Sequence, residues 1–297
     1  MASKRVQRAA KFFLKLAVAG VAIYFVFTQL EWEDLKGLYQ QLKWPYLLPA
    51  ALLFASSKAV SAVRLNRFFK AKQLVVSEAI NLRLYLLGMF YNLFLPGGIG
   101  GDGYKVYWLN KRYKTPVKDL VWASLHDRLN GLFGLVVLAT VCLAVLVEES
   151  TWRLLLVATL PLLYGAYYLG LKWFFKDFVP VFWRSNLLSL GVQGLQVACA
   201  YLLLLALGVE EGLPAYLLLF LLSSIIAIVP VTPGAIGLRE VVALFGADLL
   251  LIDDKVSVSV SLAFNLITIL VSFCGIYFML RPNKIAPGED ILPLHPE

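Results

Sequence analysis

Charge is scarce in this sequence. Asp, Glu, Lys and Arg make up 15% of its 297 residues, whereas 60% are hydrophobic. A soluble chain of that length carries polar loops between short apolar stripes; here the apolar residues fall in several runs of about twenty, which excludes the soluble class. Histidine is rarer still, with only His126 and His295, the latter in the tail, and this argues against a two-histidine metal site. Cys142, Cys199 and Cys274 each sit inside an apolar run with no CxxC and no nearby His, so packing is their expected role rather than redox or metal chemistry. Also missing are a P-loop, a dinucleotide fingerprint and any Ser-His-Asp spacing. The basic and apolar start of the chain lacks a small-residue cleavage site, so its first apolar run is expected to remain as a span. The formal charge of +8 does not indicate nucleic acid, because the basic residues cluster beside apolar runs.

What is present predicts an all-α, polytopic integral membrane protein, a single transmembrane domain over residues 1–297 with no soluble catalytic domain. About six full spans are expected, at 12–30, 46–69, 119–147, 152–171, 186–208 and 256–280. Two further apolar segments, 78–95 and 213–230, end in Pro/Gly-rich breaks and are followed by helical pieces near 102–113 and 235–248. Trp32, Leu35, Leu38, Tyr39 and Leu42 recur at helical spacing and predict a short helix on the outer surface. Lys4, Arg5, Arg8, Lys11 and Lys15 place the N-terminus in the cytoplasm. Arg64, Arg67, Lys70 and Lys72, then Lys111, Arg112, Lys114 and Lys118, then Lys172, Lys176 and Arg184, mark further cytoplasmic junctions. Arg281 and Lys284 return the C-terminus there. Glu31, Glu33 and Asp34, then Glu148 and Glu149, Glu210 and Glu211, and finally Asp253 and Asp254 mark the outer face. The expected location is the inner cell membrane.

That count makes segment 78–113 enter and leave on the cytoplasmic face and segment 213–250 on the outer face. "PGGIGGD" from Pro96 aligns with "PGAIGLR" from Pro233, and three full spans lie between them, an odd number that inverts the second copy. The expectation is an inverted repeat, with halves near 46–147 and 186–280, whose two re-entrant hairpins meet near the bilayer midplane. Breaks of this kind also occur as kinks in fully spanning helices or as turns between two spans, and either gives the same topology.

Open backbone in hydrocarbon costs several kcal/mol per unsatisfied group, so the breaks must be covered by protein or line a wet cavity. Each following helix directs free N–H groups and partial positive charge into the opening, a site suited to phosphate. Gly97, Gly98, Gly100, Gly101, Gly234 and Gly237 let a ligand approach the backbone. Asp102 has two readings, an N-cap of its own helix or a ligand of substrate or proton. Arg239 either pairs with Glu240 or Asp102, or holds phosphate bidentately; Glu240 suits the helix start. Arg83 reaches the interface by snorkelling or faces the cavity, whereas Lys58 lies too deep in its span to snorkel and is expected to face the cavity. Asp127 and Arg128 either bind substrate or satisfy neighbouring helices, and Gly131 and Gly134 allow close helix contact.

"YLLGMFYNLFLPGGIGGDGYKVYWL", "SLHDRLNGL" and "PVTPGAIGLREVVALFG", in this order, resemble the lysylphosphatidylglycerol synthase transmembrane-domain family, which includes the flippase portion of bacterial multiple-peptide-resistance proteins. The resemblance runs from Phe12 to Leu280. It implies translocation of a phospholipid, aminoacylated phosphatidylglycerol in the larger members, and it implicates Pro96, Gly97, Gly98, Gly100, Gly101 and Asp102, then Asp127 and Arg128, then Pro233, Gly234, Gly237, Arg239 and Glu240. Those larger members append an aminoacyl transferase domain; this sequence ends at Glu297, so aminoacylation is not expected of it, and a separate lipid-modifying synthase and a second copy of the chain are its candidate protein partners. No catalytic residue, metal or cofactor is implied. The reading reached is a flippase with a phospholipid substrate. Its rivals are an intramembrane transferase acting on a lipid-linked phosphate, which would form product in defined liposomes, and a scaffold or regulator, which would tolerate loss of Arg239 or Asp102.

Overall fold

A computed structural model of the chain describes residues 42–94, 100–228 and 237–287, together with Tyr24. The span expected at 12–30, the surface helix built on Trp32, Leu35, Leu38 and Tyr39, and the breaks holding Pro96, Gly97, Gly98, Pro233 and Gly234 lie outside the described residues. The described chain is helical, with short 3-10 segments at Trp44–Tyr46, Lys176–Val181 and Pro282–Lys284. The α-helices run in order α1 (Leu47–Ala71), α2 (Glu78–Phe94), α3 (Gly100–Tyr113), α4 (Val117–Leu146) and α5 (Ser150–Phe174). They continue as α6 (Phe182–Ala206), α7 (Leu213–Ile226), α8 (Leu238–Leu250), α9 (Asp254–Phe273) and α10 (Ile276–Leu280).

Length and hydropathy divide these elements into two kinds. Five stretches are long and apolar enough to cross a bilayer: Trp44–Ala71, Val117–Leu146, Ser150–Phe174, Lys176–Ala206 and Asp254–Leu280. They coincide with the five spans expected beyond the first. α2 has 17 residues, α3 and α7 have 14 each, and α8 has 13. At 1.5 Å rise per residue none of these four bridges the ~30 Å hydrocarbon layer alone. The polypeptide chemistry explains where several helices begin. Pro116 precedes α4 in an extended conformation, and the Asp253 carboxylate accepts from Val256 N at 3.0 Å to cap α9. Gly237 enters α8 with φ 84°, a backbone region that disfavours any residue with a Cβ.

Two apolar clusters sit at opposite ends of the bundle. One gathers Phe68, Phe69, Leu84, Leu109, Phe178 and Phe182. The other gathers Phe54, Leu135, Leu203, Leu221 and Phe264. At the first end Lys72 clamps the chain, its Nζ 3.2 Å from Asp119 Oδ1 and 2.6 Å from Asp177 Oδ2. Between the clusters the helices turn polar faces to one another, with Ser61, Asn130, Ser189, Gln193, Ser261 and Asn265 all buried.

Small residues set the helix spacing, as expected where helices associate by packing in lipid rather than by hydrophobic exclusion. Gly101 lies directly on the Gly88 backbone, joining α3 to α2 as a hairpin, and a Cβ there would overlap the Gly88 carbonyl. Gly275 does the same at the junction of α9 and α10, against Leu86 and Phe90 of α2. Gly101→Ala is therefore expected to destabilise the fold by about 1–3 kcal/mol through overpacking. Gly103→Ala, where a Cβ meets nothing within 4 Å, is expected to leave stability unchanged or slightly raised. Thermal unfolding of the two variants in one detergent checks the contrast.

Candidate functional site

The polar layer between the two apolar clusters holds an open-sided cavity of about 370 Å³. Four of the five long helices, all but α5, touch it near their midpoints. α1 supplies Phe54, Lys58, Ser61 and Arg64; α4 supplies Asp127, Arg128, Gly131 and Leu135; α6 supplies Val192, Gln193 and Gln196; α9 supplies Phe264, Asn265 and Thr268. The short helices reach it with their ends: Asn92 near the close of α2, Asp102 and Lys105 at the opening of α3, Ser224 late in α7, and Arg239 at the start of α8. A chamber lined at mid-helix by every one of these long elements lies at mid-depth of the apolar layer.

Its charges fall into three groups. Arg64 and Asp127 form a buried pair: Nε donates to Oδ1 at 2.8 Å and Nη2 to Oδ2 at 3.3 Å, while Nη1 donates to Ser189 Oγ at 3.0 Å. Gly131 makes room for this guanidinium, since a Cβ there would stand 3.2 Å from Arg64 Nη2. Asp102 is shared by two cations, with Lys105 Nζ at 2.6 Å and Arg128 Nη2 at 2.5 Å. Lys105 also lies 4.8 Å from the Tyr85 ring centroid, and its stem passes Gly88.

The third group makes no ion pair among the described residues, although the Glu240 carboxylate lies close enough for its field to act on Arg239. Lys58 Nζ stands 4.4 Å from the centroid of Phe54. Phe54 meets Phe264 edge-on at 5.2 Å, and the Arg239 guanidinium carbon lies 4.6 Å from Phe264 and 5.1 Å from Phe220. Arg239 Nη2 donates to Ser224 Oγ at 2.9 Å, yet Arg239 is 6% exposed and its Nε has no hydrogen-bond acceptor. Neither Lys58 nor Arg239 enters an ion pair among the described residues. Aromatic faces therefore hold two cations in place without neutralising them.

The helix starts behave differently from the expectation of open N–H groups. Gly101 N donates to Asn92 Oδ1 at 2.8 Å, and Gly237 N donates to Glu240 Oε2 at 2.8 Å. Glu240 also accepts from Ser261 Oγ at 3.0 Å and from Asn265 Nδ2 at 2.6 Å, so its carboxylate is fully engaged behind the cavity wall.

Of the residues singled out in the sequence, Lys58, Asp102, Asp127, Arg128 and Arg239 line the cavity. Gly100, Gly101, Gly237 and Glu240 stand at the starts of α3 and α8 without lining it, and Gly97, Gly98 and Gly234 lie outside the described residues. Arg83 stands apart, donating to the Ile285 carbonyl at 3.2 Å. Asp102 pairs with Arg128 and Lys105 instead of crossing to Arg239, and Arg239 turns to Ser224 and its aromatic neighbours instead of Glu240. Two cations of the site come from elsewhere. Arg64 counted as a flank charge in the topology, yet it is 5% exposed inside α1. The signal for it was its position on one helical stripe with Phe54, Lys58 and Ser61. Lys105 was marked only by lying three residues after Asp102.

Arg64→Ala leaves Asp127 buried and unpaired and is expected to cost about 3–5 kcal/mol, whereas Arg64→Leu with Asp127→Leu removes both charges and is expected to recover most of that loss. Thermal midpoints of the single and double variants check the coupling.

Among curated proteins none matches this chain. The sequence model of the family described as the lysylphosphatidylglycerol synthase TM region matches it over residues 12–181 and 175–275. The two stretches together cover most of the chain, which belongs to the lysylphosphatidylglycerol synthase transmembrane-region family.

Proposed function

We propose that the protein is a lipid transporter that moves a phospholipid between the leaflets of the cell membrane, its phosphate passing through the mid-depth chamber while the acyl chains stay in lipid. The observation that carries this reading is the pair Lys58 and Arg239, two buried cations on the chamber, one at the middle of α1 and one at the start of α8, that enter no ion pair among the described residues. A charge in that position is costly without an anion and is kept for a ligand. Guanidinium presents a planar set of donors to phosphate oxygens, and the unused Arg239 Nε supplies one of them. The volume of about 370 Å³ suits a headgroup and is too small for a whole lipid. Family membership supports a membrane-lipid role.

The proposed route uses an inverted pair of re-entrant hairpins, α2 with α3 and α7 with α8, in a chain with both termini in the cytoplasm. Helix pairing supports it. Exchanging α1 with α6, α2 with α7, α3 with α8 and α4 with α9 maps observed neighbours onto observed neighbours: α2–α3 onto α7–α8, α3–α4 onto α8–α9, α4–α7 onto α9–α2, and α1–α4 onto α6–α9. α5 stands outside the exchange as the third span between the hairpins. Alternating access between such repeats needs no large rearrangement within either half.

Purified protein in liposomes, assayed with a panel of labelled phospholipids for leaflet accessibility, is expected to speed exchange of at least one lipid, and Arg239→Ala is expected to reduce that rate at least about tenfold, the loss of ~1.4 kcal/mol of phosphate stabilisation. Rates equal to protein-free liposomes for every lipid would contradict transport. Lys58→Met is expected to slow transport while raising the thermal midpoint, because an unpaired cation at that depth costs roughly 2–3 kcal/mol.

A further inference from the structure

A second cavity lies away from the chamber, where the end of α5 and the 3-10 segment Lys176–Val181 meet the start of α4. It is an open groove of about 710 Å³ and shares no lining residue with the chamber. Trp122, Phe175 and Phe178 form its aromatic part, and the His126 ring packs 4.4 Å from Phe175 and 4.2 Å from Phe178. Five charged groups line it. Lys72 answers both carboxylates, Asp119 at 3.2 Å and Asp177 at 2.6 Å. Lys118 and Lys176 are exposed and enter no ion pair among the described residues.

These two lysines stand among the parts of a membrane interface. Trp173 and Phe174, which end α5 at the groove, are 69% and 75% exposed, and such rings settle at headgroup level. Lys118 and Trp122 share one face of α4 with Leu125 and Leu129, and Trp173 shares one face of α5 with Leu169 and Leu162. All four leucines are exposed, so an apolar stripe leaves the groove along each helix toward the bilayer interior. A small soluble anion would meet the lysines alone. A phospholipid would meet the lysines with its phosphate, the aromatic edge with its glycerol backbone and the stripes with its acyl chains.

We infer that this groove binds an anionic phospholipid, held as a standing ligand of the protein surface rather than as cargo, with its phosphate between Lys118 and Lys176. On the topology proposed above the lipid belongs to the inner leaflet. A zwitterionic lipid is disfavoured, because its ammonium competes with the lysines for the phosphate, and the carboxylates that could receive it are already held by Lys72. The bound lipid bridges α4 to α5, the least buried of the five long stretches, and so stabilises their pairing. None of this depends on transport through the chamber.

Native mass spectrometry of the full-length protein, released from detergent with phosphatidylglycerol and phosphatidylcholine of matched chains, tests the groove. One phosphatidylglycerol is expected to be retained at least about fivefold more than phosphatidylcholine, and Lys118→Gln with Lys176→Gln to bring the ratio down to about one. Lys111→Gln with Lys114→Gln, exposed lysines at and just beyond the end of α3 and outside the groove, is expected to leave the ratio unchanged. So is Arg239→Ala, which alters the chamber alone. Equal retention of the two lipids by wild type would overturn the inference, as would a preference that survives the loss of Lys118 and Lys176. Parity in Arg239→Ala would place the retained lipid in the chamber and would also overturn it. A preference that emerges only with Glu289→Gln and Asp290→Gln would make the chain's own acidic tail the occupant, with the same consequence. A preference of the expected kind with no lipid exchange in liposomes would leave the groove standing and remove transport.

Discussion

Hydrocarbon cannot solvate an ion, and the interior of this bundle is organised around cations it has only partly neutralised. At mid-depth, where a lone charge is most costly, the walls hold Lys58, Arg64, Lys105, Arg128 and Arg239 against Asp102 and Asp127. Apolar clusters flank that layer on either side. The long helices are needed to reach across it, and the short ones to bring their ends to it. Arg64, bridging Asp127 and Ser189, ties α1 to α4 and α6 at this level. Glu240, with three hydrogen bonds from Gly237, Ser261 and Asn265, ties the start of α8 to α9.

This arrangement separates two uses of buried charge. Arg64 with Asp127 and Glu240 with its neutral donors are internally satisfied, and their contribution is architectural: breaking either leaves a bare carboxylate in a low-dielectric core. Lys58 and Arg239 are left to aromatic rings, which steady a cation without cancelling its field. A fold selected for stability alone would place apolar side chains there. Retaining the charge lowers the stability of the empty protein and favours the occupied one, the linkage expected of a binding site.

Much of the architecture was legible in the sequence because bilayer thickness imposes run lengths that composition reveals at once. The ends of the five long spans fall within a few residues of those expected, except that the stretch Lys176–Ala206 begins ten residues before the expected 186, and the short helices flank the two glycine-rich breaks. Lys58 was identifiable because its distance from both ends of α1 rules out snorkelling. Arg64 was not, because six residues further along the same helix a buried cation looks like the first member of a flank cluster; only Asp127 and Ser189, brought from other helices, reveal its burial. The partner of Asp102 was hidden for the same reason, Arg128 being 26 residues away, and a capped helix start cannot be told from an open one until Asn92 or Glu240 is seen beside it.

The central claim is that Lys58 and Arg239 together hold a phosphate at mid-depth. The most direct measurement is magnetic-resonance dipolar coupling between phosphorus of bound inorganic phosphate and nitrogen-labelled Lys and Arg side chains in the membrane-embedded protein, assigned with Lys58→Met and Arg239→Gln. Phosphorus coupled to both the Lys58 Nζ and the Arg239 guanidinium nitrogens is the result expected here. Coupling confined to surface lysines and arginines, unchanged in both variants, would contradict it.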